Sequence, residues 1–135
     1  MTRSSAVRPQ DIGCNGIVVP PFAHQSGMIT NAASLVRGIM GVAPCALYIE
    51  KVVVLVTTAF THASSKLNFG SIADEDAYLD AMVTYNIGAG LFEFDPASYL
   101  GTVGRTIPRG ASFGFTMDAA DTTGVLVAAA ILRPI

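Results

Sequence analysis

Charge is what this chain has least of. Asp, Glu, Lys and Arg make up 13% of its 135 residues, about half the roughly 25% of an ordinary soluble domain. Eight Lys and Arg stand against ten Asp and Glu, for a formal charge of −2. The basic residues are scattered, which excludes a surface that tracks a nucleic-acid backbone. Tryptophan is missing, and histidine and cysteine occur twice each. His24 and His62 have no metal-ligand partner two or four residues away, so a metal centre built on histidine has no basis. Cys14 and Cys45 are too few for a disulfide framework. One bridge between them stays open, but buried free thiols are the expectation, because free Cys packs as a small hydrophobe.

Long hydrophobic runs are missing as well. The longest uncharged apolar stretches, residues 52–60 and 124–132, are about half of the roughly 20 residues that a membrane-crossing helix needs. The stretch 38–49 is interrupted by Pro44 and closed by Glu50 and Lys51. The first residues lack the apolar core of a secretory signal. The expectation is a chain made and kept in a cytosol, or in particles assembled there, with no membrane partner.

What is there is apolar. The AVILMFWYC set reaches 51% and the mean hydropathy is +0.51. A single domain of this size buries only about two-thirds of its unfolded surface. The surplus must emerge somewhere, and contiguous exposed apolar surface usually marks a contact with another protein. The composition therefore points to a subunit of an assembly, a homo-oligomer.

The pattern is β. Residues 47–60 are dense in β-branched side chains. Residues 52–60 and 125–132 are apolar on both alternating faces, which predicts cover on both sides. Residues 111–117 alternate, with Ala111, Phe113, Phe115 and Met117 on one side and Ser112, Gly114 and Thr116 on the other, as a half-buried antiparallel strand does. Residues 81–87 and 91–94 are two further strands, joined as a hairpin by Gly88, Ala89 and Gly90. Pro108, Arg109 and Gly110 suit a tight turn with Pro at its first central position. Asp74, Glu75 and Asp76 suit the start of one short helix over residues 74–81. The fold class is all-β: an antiparallel β-sandwich, jelly-roll-like, of about seven or eight strands. Residues 1–27 read as an extended N-terminal arm, since Pro20 and Pro21 forbid a central strand, and residues 28–135 as the single sandwich domain.

No catalytic set emerges. Three adjacent carboxylates at Asp74, Glu75 and Asp76 lack the alternation of a calcium loop. Glu93 reads as the outward residue of a strand rather than half of a glycosidase pair. No nucleophile elbow occurs, and Gly101 to Arg105 lack the ending of a phosphate loop. The expectation is a protein without catalysis, cofactor or metal.

Residues 65–79 (SKLNFGSIADEDAYL) combine a Leu-x-x-Gly strand element with an acidic start of the form Asp-x-Asp-Ala-aromatic-Leu. Residues 105–110 (RTIPRG) form an Ile-Pro-x-Gly turn, and residues 121–124 (DTTG) lead into the closing strand to Pro134 and Ile135. In order and spacing, residues 47–135 resemble small virion proteins of tailed bacteriophages that decorate or cement icosahedral heads. The resemblance implies a non-catalytic sandwich, a trimer that binds the major capsid protein, made in the host cytoplasm and carried on the capsid surface. The alternative of the same fold class is a carbohydrate- or receptor-binding module of a phage tail or fibre. That module should present an aromatic groove, with Tyr48, Tyr78, Tyr85 and Tyr99 supplying its stacking surface. Residues 1–27 lie outside the resemblance. Their apolar part, Ile17, Val18, Val19, Pro20, Pro21 and Phe22, is the expected subunit or capsid contact, by strand addition at a sheet edge.

Overall fold

The structure, a computed structural model, describes residues 20–30, 35–60, 65–83, 88–118 and 124–135. Its centre is the β-branched segment, which forms β4, Leu47–Thr58. Leu47 and Ile49, then Val52, Val54 and Val56, point inward and are buried. The step of three between Ile49 and Val52 is a bulge: Leu132 pairs with Ile49 and Ile131 with Lys51, leaving Glu50 as the extra residue. A bulge bends and twists the strand. Here it also lets two consecutive charged residues, Glu50 and Lys51, both reach solvent.

β4 pairs with β10 (Val125–Pro134), β10 with β1 (Phe22–Thr30), and β4 on its other side with β7 (Gly90–Phe94). A two-residue strand, β8 (Thr106–Ile107), joins the end of β4. The second sheet runs β2 (Leu35–Arg37), β9 (Ser112–Asp118), β5 (Lys66–Gly70), β6 (Leu79–Val83), with β3 (Gly41–Val42) also on β9. All pairings are antiparallel, so the described residues form an all-β sandwich of two sheets. Its core joins Leu126, Ala128, Ala130 and Leu132 of β10 to an aromatic group in the other sheet, where Phe69 lies 4.7 Å from Phe115 and 5.9 Å from Tyr78.

The chain departs from the sequence expectations at defined places. No helix forms over residues 74–81. The Asp74 carbonyl instead accepts from the amides of Ser71 and Ala77, and Leu79 pairs with Phe69 to open β6. The one helical turn among the described residues is the 3-10 turn Pro96–Ser98, capped by Asp95. β6 and β7 are not a hairpin but lie in different sheets, with Gly88 and Gly90 at positive φ (75° and 147°) where the chain re-enters the first sheet. In the tight turn, Pro108 sits one place earlier than expected: its carbonyl accepts from Ala111, and Gly110 takes φ 81°.

β9 is buried on both faces rather than one. A Cβ on Gly114 would stand 2.3 Å from Met40 Sδ, so Met40 covers the face that the alternation had left to water. Cys45 is fully buried but is not a free thiol: it is disulfide-bonded. The chain has one other cysteine, Cys14, outside the described residues. The division at residues 27 and 28 falls within β1, which runs unbroken through a bulge. Gly27 takes φ 71° there, and Ser26 Oγ accepts from the Ala128 amide that the bulge deprives of a backbone partner.

Candidate interaction surface

Because side chains alternate across a strand, the outer face of the first sheet is assembled from the residues between its core positions. Met28, Val127, Leu55 and Leu91 are successive cross-strand partners on β1, β10, β4 and β7. Met28, Leu55 and Leu91 are 72%, 45% and 70% exposed. The next row is Gln25, Ala129, Val53 and Glu93, and beyond it lie Ala23, Ile131 and Lys51. The double-sided apolarity of β4 is thus covered on its inner side only. The outer side is an apolar band that crosses the whole sheet from edge to edge.

The band has a polar end. Lys51 Nζ and Glu93 Oε2 stand 4.0 Å apart, both exposed, which in water contributes little to stability. Further along β4, the Arg105 and Arg133 guanidiniums lie 4.5 and 4.6 Å from the Tyr48 ring centroid. Arg133 Nε donates to Glu50 Oε1 at 2.9 Å, and Arg105 donates to the carbonyls of Ile49 and Glu50. The face therefore grades from apolar, at Met28 and Leu91, to charged, at Tyr48, over about 23 Å of strand.

No family model, no curated protein and no solved structure matches this chain.

The residues singled out from the sequence are dispersed. Pro20 and Pro21 are exposed and precede β1, while Phe22 begins that strand and packs partly on the core. Ile17, Val18, Val19 and His62 lie outside the described residues. His24 holds β1 to the segment before β3: its Nε2 donates to the Ile39 carbonyl at 2.8 Å, and its ring meets Phe113 edge-on.

The acidic segment makes a tight corner. Gly70 permits it, since a Cβ there would lie 2.3 Å from the Asp74 carbonyl. Asp74 accepts from the Thr102 hydroxyl, and the Tyr78 hydroxyl donates to the Ser112 carbonyl at 2.9 Å. A hydrogen bond with the Asp74 carboxyl pushes Asp76 up to about 6, helped by burial and by the charges of Asp74 and Asp80. The same bond, together with the Thr102 hydroxyl, holds Asp74 below its ordinary 3.8. Among the described residues, no group of three or more His, Cys, Asp and Glu is placed to hold a metal ion, and none of their helices is long and apolar enough to cross a membrane.

Sequence reasoning found the two-faced strands β4 and β10 but not Met28 or Leu91, which complete the band at its edges. Leu91 and Glu93 already alternated with Phe92 and Phe94, and that alternation was the available signal. Which face met water depended on the pairing with β4.

Proposed function

We propose that this chain is a non-catalytic structural protein of a tailed-phage virion, which decorates and stabilises the icosahedral head as a homotrimer bound to major capsid subunits. It would be made in the host cytoplasm and carried on the capsid surface, with adhesion as its work and no cofactor. The single observation that carries this reading is the apolar band Met28–Val127–Leu55–Leu91, open on the outer face of a sheet whose inner face packs on the core. A surface of that kind is suited to binding a protein.

The ordered resemblance of residues 47–135 adds support; within it, the acidic segment forms one corner of the fold with residues 101–104. Gly70 accommodates the acidic turn, Tyr78 bonds to Ser112 at the start of β9, and Thr102 bonds to Asp74 just before the Arg105 to Gly110 segment. Jelly-roll connectivity belongs to the same proposal. The experiment is co-sedimentation of the purified protein with phage heads lacking it, followed by heating. Saturable binding at a fixed ratio to capsid subunits, with heads that rupture at higher temperature, is the expected result. Absence of binding to any head form would sink the reading.

A further inference from the structure

The band ends on a strand edge. β7 pairs with β4 on one side, and among the described residues no strand pairs with its other side. An edge strand with open backbone groups and an exposed leucine is a point of association unless something blunts it. The blunting devices on β7 are few: Glu93 is its only charged residue, and that charge is already directed to Lys51. The band and the open edge are therefore continuous, with Leu91 belonging to both.

We propose that this continuous surface, the outer face of the first sheet from Met28 to Leu91 and the free edge of β7, is where copies of this chain meet. The inference deepens the self-association part of the proposed function by naming its contact, and it rests on that reading. Charge selects a second copy as the occupant. Rotational symmetry brings a surface residue near its own copies, so an unpaired charge there would repel itself. The two charges within the three rows, Lys51 and Glu93, stand with each other, and the remaining residues of those rows are neutral. Of the other acidic residues, Asp74, Glu75, Asp76 and Asp80 lie in the second sheet and the turn that enters it, and Asp95 follows β7 as the cap of the 3-10 turn, outside the three rows.

Size sets the strength. Four strands spaced about 4.8 Å apart and three rows about 7 Å apart give a flat face on the order of 400 Å². Two such faces bury on the order of 800 Å², short of the roughly 1,200 Å² at which stable interfaces begin. The assembly is therefore concentration-dependent in free solution.

The test is the mass of the full chain by light scattering, from micromolar to millimolar, for wild type, Leu91→Glu, Met28→Glu and Ile72→Glu. Ile72 is equally exposed but belongs to the other sheet's side, beside Ser112. Wild type and Ile72→Glu should rise together to a multiple of 14.0 kDa, while Leu91→Glu and Met28→Glu stay at the monomer mass with unchanged circular dichroism. Two glutamates at opposite edges guard against one variant misfolding. A wild type that stays monomeric throughout overturns the proposal, as does a Leu91→Glu variant that assembles normally, or an Ile72→Glu variant that dissociates equally. Head binding is scored separately. A monomer that still coats heads removes this interface and leaves decoration standing; an oligomer dissociated by Leu91→Glu that coats no head does the reverse.

Discussion

At the scale of single residues, the Asp74–Asp76 pair gives the fold a pH dependence of unusual sign. Asp76 is raised to about 6 in the folded chain, above its ordinary 3.8. The folded state therefore holds a proton that the unfolded state has released, and the resulting stability is present below 3.8 and lost as pH rises through about 6. Asp74 is shifted the other way, so it is ionised in both states across that window and adds no slope. The melting temperature should fall as pH rises from about 4.5 to about 6, and Asp76→Asn should flatten that fall; a wild type flat over the same range would contradict the assignment. Gly101 makes a second residue-scale case. A Cβ there would meet the Asp76 carbonyl at 2.0 Å and the Ala77 carbonyl at 2.7 Å. Backbone cannot move aside as a side chain can, so Gly101→Ala should cost about 1–3 kcal/mol in urea denaturation.

At the scale of elements, the two faces of β4 give opposite outcomes for adjacent substitutions. Val54 is fully buried against the second sheet, whereas Leu55 is 45% exposed. Val54→Asp would bury an unpaired charge and should leave the chain unfolded. Leu55→Asp, one residue on, should change the monomer's stability by no more than about 0.5 kcal/mol; equilibrium unfolding of the pair decides it. The Cys45 disulfide acts at the same scale. It follows the Ala43 contacts that receive the 108–111 turn, where the Gly110 amide donates to the Ala43 carbonyl and the Ala43 amide to Ala111. Reduction should lower stability by about 2–4 kcal/mol, read as a drop in urea midpoint with reductant present. An unchanged midpoint would show that the bond contributes nothing to the folded state.

At the scale of the whole molecule, a face-built assembly would act on a particle through multiplicity. Linked copies make each later contact intramolecular, so avidity can exceed single-contact affinity by about 10²–10⁴. A Leu91→Glu monomer should accordingly bind heads at least about 100-fold more weakly than wild type, even if its own head contact is intact. Equal binding by the two would place adhesion in the single subunit.

How much of this could be read from the chain follows from the same division of scales. Side-chain alternation and β-branching locate β4, β9 and β10, because a strand's period is local. The low charge implies an uncovered apolar surface, because a small domain cannot hide 51% apolar residues. Three things were beyond local reading. The separation of β6 from β7 into different sheets depends on which neighbours each strand finds. The cover over Gly114 comes from Met40, 74 residues away in sequence. The partnership of Met28 with Leu91 exists only because β1, β10, β4 and β7 lie side by side. The sequence by itself determined that the chain is all-β and that it has more apolar surface than it can bury. Only the tertiary structure decided where that surplus lies, because sheet pairing is non-local and sets which of two apolar faces turns to the core and which to solvent.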